Sequence, residues 1–167
     1  MKFASVIVPF AYFSLATSLS LLGSDQAALN EGNEALKVPG ENPLTYCADP
    51  SDYILSIDYA DLDPNPPKAG ETLTISASGT FSKDVEEGTK VLLQVKYGLI
   101  TLIKQEADLC EQIGNVDLEC PLKKGPMTLT KEVQIPKEVP KGKYTVMADV
   151  YTESGEKVTC LNAITYF

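Results

Sequence analysis

An apolar period of two, carried by short segments and broken by turn residues, constrains this chain more than any other feature. "ETLTISASG" (71–79) sets Leu73, Ile75 and Ala77 on one face and Thr72, Thr74 and Ser76 on the other. "KVLLQVKYG" (90–98) sets Val91, Leu93, Val95 and Tyr97 against Gln94 and Lys96. "YILSIDY" (53–59) alternates around Tyr53, Leu55, Ile57 and Tyr59. "MTLTKEVQIP" (127–136) offers Met127, Leu129, Val133 and Ile135, and "VPKGKYTVMADVYTESG" (139–155) offers Tyr144, Val146, Ala148 and Val150, before "KVTCLNAITYF" closes the chain. The intervening "DPNPPKAG" (63–70) has three prolines and cannot be a central strand. No long window carries a helical period. About seven strands at this spacing predict an all-β sandwich.

One stretch breaks the pattern. After Gly98 the sequence reads Leu99, Ile100, Thr101, Leu102, Ile103, with no polar face, and then turns strongly polar over residues 104–108. These five cannot all point inward from a strand, so part of the stretch is expected at the surface. The interior is also unusual for a sandwich. The chain has no tryptophan, and its apolar inward positions are mostly aliphatic. Such walls suit a packed core, and they equally suit a dry space between two sheets.

The ends of the chain read differently. Residues 1–20 carry one charge, Lys2, an apolar run and then small residues, the layout of a secretory signal peptide. Residues 21–38 read as a propeptide or flexible N-terminal arm, and residues 39–167 as the domain. No other segment approaches membrane-spanning length, so a soluble product of the secretory pathway is expected, secreted or held in a vacuolar lumen. In an oxidising compartment the four cysteines predict two disulfides, for which three connectivities exist. Cys110 and Cys120 are ten residues apart around a Gly114-Asn115 turn signal and can close a local loop, which leaves Cys47 and Cys160 as a staple between the domain's ends.

Charge and composition exclude several functions. All fourteen basic residues are lysine, and from Val38 onward twelve lysines face twenty acidic residues, a net of −8. Such a surface repels a phosphate backbone and lacks the arginines that read guanine, so no nucleic-acid partner is expected. With no histidine and no C-x-x-C pair, neither a metal site nor a conventional nucleophile–base pair is expected. The carboxylate pairs Asp61/Asp63, Glu86/Glu87 and Glu153/Glu156 fall at turns, where burial rarely perturbs them. No glycine motif cradles phosphate. The chain reads as a non-enzyme with no cofactor.

Taken in order, "DPNPPKAGETLTISASG", "VLLQVKYGLITL", "DLCEQ", "CPLKKGPMTL" and "IPKEVPKGKYTVMADVYTESGEKVTCL" resemble the fungal phosphatidylglycerol/phosphatidylinositol transfer proteins of the ML (lipid-recognition) domain family. That family also includes the Niemann–Pick type C2 sterol carriers. The resemblance spans residues 44–167 and implies an immunoglobulin-like β-sandwich whose sheets are splayed around one lipid. It implies the pairs Cys47–Cys160 and Cys110–Cys120. It also implies that the inward faces line the lipid cavity: Leu73, Ile75, Val91, Leu93, Val95, Tyr97, Leu129, Val133, Ile135, Tyr144, Val146, Ala148 and Val150. Leu99, Ile100, Leu102, Ile103 and Val139 then stand at the cavity mouth. The animal sterol carriers usually have a third disulfide where this chain has prolines, in residues 61–68.

The function so implied is soluble transfer of one phospholipid or sterol between membranes, as a monomer in transient contact with bilayers. A membrane-bound lipid acceptor is a candidate partner. The competing reading is a secreted sandwich that binds a protein, for which a filled core is expected in place of a cavity. With no arginine to clamp a phosphate, Lys96, Lys104, Lys123 and Lys124 remain as point charges for a head group or as solvated side chains.

Overall fold

The computed structural model describes residues 36–114, 118 and 120–167. The expected signal peptide and most of the 21–38 arm lie outside the described residues. Eight strands follow in order: β1 (Leu44–Tyr46), β2 (Leu55–Asp63), β3 (Thr72–Phe81), β4 (Lys90–Tyr97), β5 (Ile100–Asp108), β6 (Gly125–Gln134), β7 (Lys143–Tyr151) and β8 (Lys157–Tyr166). Among the described residues one short α-helix, α1 (Leu109–Ile113), follows β5, and a 3-10 turn spans Pro50–Asp52. The strands form a five-stranded sheet, β1-β8-β7-β4-β5, and a three-stranded sheet, β2-β3-β6. Every pairing is antiparallel.

The expected all-β sandwich is the observed one. Three bulges adjust its faces. In β2 the register shifts between Ile57 and Tyr59, so Leu55 and Ile57 face inward, Tyr59 does not, and Ala60 and Leu62 resume the inward face opposite Ala77 and Ile75. Simple alternation would carry Tyr59 inward; the extra residue of the bulge reverses the phase. A second shift lies between Val150 and Tyr151. The third, between Val95 and Lys96, belongs to the site described below.

The packed core occupies one end of the sandwich. Ile54, Phe81, Val85, Ile113, Leu122, Val150 and Val158 form a buried cluster, with Leu55, Val91 and Met127 against it. The Cys110–Cys120 disulfide closes that end, tying α1 to the chain that leads into β6. A second cluster of Val38, Tyr46 and Ala60 seals the side where β1 meets β2. There the Tyr46 amide donates to the Leu36 carbonyl and Lys37 bridges to Thr45, so the packed chain includes residues ahead of Pro39. Cys47 pairs with Cys160, joining the entry of the domain to β8. Both disulfides therefore match the connectivity read from spacing and resemblance.

Candidate functional site

β3, β4 and β7 run from the packed end toward an open end. Phe81 and Leu73 mark the two ends of β3, Val150 and Tyr144 those of β7, Val91 and Val95 stretches of β4. At the open end three inward side chains of the larger sheet are short, Val95, Val146 and Ala163, beside the larger Tyr144 and Phe167. Leu62, Leu73 and Val133 of the smaller sheet form the facing wall. Together they line an apolar cavity of about 790 Å³.

The broken alternation after Gly98 now has a structural cause. Thr101 pairs with Lys96 and Ile103 with Val95, which leaves Leu102 as the extra residue of a bulge. A bulge re-aims neighbouring side chains, and both Leu102 and Ile103 line the cavity. They remain 54% and 42% exposed, because β5 is an edge strand and the cavity opens beside it. Leu99 and Ile100, at the tip of the β4–β5 hairpin, are 100% and 64% exposed and lie outside the cavity wall. Gly98 turns that hairpin with φ +55°, a conformation costly for residues with a Cβ.

Aromatic rings and prolines finish the rim. The Tyr97 and Tyr144 rings are 5.2 Å apart, and Tyr144 meets Phe167 edge-on at 5.3 Å. Their hydroxyls hold the β6–β7 loop: Tyr97 Oη donates to the Lys141 carbonyl at 2.9 Å and Tyr144 Oη to the Pro140 carbonyl at 3.1 Å. The Tyr97 ring lies so close to Gly142 that a Cβ there would stand 2.5 Å from it. That loop brings Ile135, Pro136, Glu138, Val139 and Pro140 to the wall, while Pro43 and Pro67 come from two other connections. A proline has no N–H to leave unpaired, so loops rich in it can face an apolar space at little cost. The wall's polar side chains are Glu138, Thr165 and the already bonded Tyr144; Thr165 Oγ1 is buried without a hydrogen-bond partner.

The expected lining residues thus separate into groups. Leu73, Val95, Val133, Ile135, Tyr144 and Val146 share the large cavity, with Leu102, Ile103 and Val139 at its opening. Ile75 and Leu129 line a smaller, deeper apolar chamber of about 230 Å³. Val91 and Val150 belong to the packed end. Leu93 and Ala148 pair across β4 and β7 and line neither space, and Tyr97 buttresses the rim from outside it. Sequence reasoning passed over Leu44, Leu62, Ala163 and Phe167, together with all four rim prolines.

Charged groups stand apart from this apolar wall. Lys123 pairs with Asp84 at 3.0 Å near the packed end. The Lys124 amide and then Lys123 hold the Asp84 carboxyl below the usual carboxylate range. Asp108 is held down likewise, by Lys90 first and by the Cys110 amide that it caps at the start of α1. Lys96 and Lys104 pair with Thr145 and Gln94 on the outer side of the five-stranded sheet. Glu86, Glu87, Glu153 and Glu156 gather near Asp84 at the closed end. Among the described residues no group of carboxylates or thiols is arranged to hold a metal, and no helix is long and apolar enough to cross a membrane.

A family model described as ML domain matches residues 41–167. The chain belongs to the ML domain family. Among curated relatives, the phosphatidylglycerol/phosphatidylinositol transfer protein of Aspergillus fumigatus is 61% identical over 148 residues, covering 89% of this chain and 83% of that protein. The protein of the same name from Aspergillus oryzae is 54% identical over 169 residues, 98% of this ML domain chain and 95% of its relative. In fold, this ML domain matches the crystal structure of a Niemann–Pick type C2 protein from the Japanese carpenter ant, with a TM-score of 0.51 and 17% identity over 74% of this chain and 97% of that one. The family expected from the ordered motifs is the family found.

Proposed function

We propose that this protein carries one phospholipid at a time through water, with its acyl portion in the cavity between the two sheets and its head group at the rim. The observation that carries this reading is the apolar cavity of about 790 Å³, open beside Leu102 and Ile103, where a sandwich is ordinarily filled. Each methylene moved from water to such a wall contributes about 0.8 kcal/mol, so a matching cavity competes with a bilayer without any energy source. The names of the Aspergillus relatives point to phosphatidylglycerol and phosphatidylinositol as cargo, and to transfer rather than catalysis. The open end supports this reading over a protein-binding module, for which a filled interior is expected. The exposed apolar tip, Leu99 and Ile100, supports transient docking on a bilayer during loading and release. Two disulfides support an oxidising compartment of the secretory pathway.

Vesicle-to-vesicle transfer of fluorescent phosphatidylglycerol tests the function. Transfer in proportion to protein concentration, without vesicle fusion, is expected. No acceleration over spontaneous exchange, for phosphatidylglycerol and phosphatidylinositol alike, contradicts it.

A further inference from the structure

The lining of the large cavity is followed, along the strands toward the packed end, by the lining of the smaller one. Moving two residues along a strand toward the packed end carries the wall from one space to the next: Leu73 to Ile75 on β3, Leu62 to Ala60 on β2, Ala163 to Leu161 on β8. Leu44 lines both. The inner chamber exists because small residues stand where the neighbouring rows have large ones. Ala60 and Ala77 face each other across β2 and β3, and Gly79 follows, where a Cβ would strike the Ser56 carbonyl at 2.6 Å. Beyond it the passage ends on Leu55 and Met127, which pack against the Phe81 cluster.

We infer that the inner chamber is a ruler for acyl-chain length: it receives the terminal methylenes of a chain entering from the large cavity, and the packed end stops longer chains. This rests on the phospholipid reading above. An apolar space that meets Leu55 and Met127 at the packed end, with no polar lining beyond one serine and backbone, rewards each added methylene until the chain reaches that stop. A methylene transferred to an apolar wall is worth about fourfold in binding. Once the chamber is full, further carbons must bend back or remain at the rim, and affinity levels off.

The test is the affinity of the purified full chain for dioctanoyl, dilauroyl, dipalmitoyl and distearoyl phosphatidylglycerol, in wild type and two variants. Ala77→Leu fills the chamber. It should leave dioctanoyl binding unchanged and weaken the longer-chain lipids at least about tenfold, as expected for two or more displaced methylenes. Leu129→Ala enlarges the chamber and should shift the plateau to longer chains; it also carries the test if Ala77→Leu fails to fold. Variants that bind every chain length as wild type does, or lose all lengths equally, overturn the ruler while leaving the carrier function standing. A wild type that binds none of the four overturns the carrier reading itself.

Discussion

Val95 on β4 and Ile103 on β5 are register partners, and the bulge beside them places Leu102 on the same wall of the cavity. Two large aliphatic side chains are thereby held half-exposed at an opening, where ordinary alternation would bury one and turn the other away. Their exposure costs little in folding and is available to a bilayer. Replacing Leu102 and Ile103 with serine should slow vesicle transfer about tenfold, the loss expected for one fully buried side chain's worth of apolar contact. Stability should move by no more than about 0.5 kcal/mol, as at other surface positions. Unchanged transfer would move the docking surface elsewhere.

Val146 tests whether the open end is a cavity in solution. In a filled core, Val146→Phe would cost about 1–3 kcal/mol. Facing the cavity, the larger ring should be accommodated with less than that, while lipid uptake falls. Denaturant unfolding and lipid binding on the same preparation decide between them. A clearly destabilised variant with normal uptake contradicts the cavity.

The two disulfides differ in reach. Cys47–Cys160 closes a sequence separation of 113 residues and Cys110–Cys120 one of 10. In the loop-entropy description the longer loop constrains the unfolded chain more, by about 2 kcal/mol. Replacing the Cys47–Cys160 pair with alanines should therefore cost more stability than replacing the Cys110–Cys120 pair. Denaturant midpoints in the opposite order would show that the short loop, through α1 and the packed cluster, matters beyond chain entropy.

Much of this architecture was legible in the residues. β3, β4 and β7 alternate without interruption, so their inward faces could be read position by position, and the cysteines carried the frame. β5 was not legible as a strand, because a bulge at Leu102 and an edge position remove the polar alternation that marks a strand. β2 misled at Tyr59 for the same reason, its phase reversing at the bulge. The rim prolines read as turn residues, which they are; that the turns Pro67, Pro136 and Pro140 occupy face inward depends on contacts between segments far apart in sequence. The line between cavity and core was equally hidden. Val91 and Val95 sit on one face of one strand, and only the meeting of the sheets at Phe81 and Val85 separates them.

Asp84 supplies the pH dependence. Its carboxyl is held low by the Lys124 amide, then by Lys123. A carboxylate whose folded value is depressed stabilises the fold fully above its unfolded value, about 4, and that contribution is lost as pH falls through the lower folded value. Asp108 acts in the same sense at α1. Asp84→Asn should therefore lower stability by a constant amount above about pH 4 and flatten the acid limb below it, the two proteins converging as pH falls. An acid limb identical to wild type would remove Asp84 from it.

Native mass spectrometry of the protein after incubation with phosphatidylglycerol vesicles and repurification bears most directly on lipid carriage in the cavity. The expected spectrum shows one phospholipid per protein, with the adduct lost or sharply reduced in Val146→Phe. A wild-type spectrum without bound lipid, or an adduct that Val146→Phe retains in full, would contradict it.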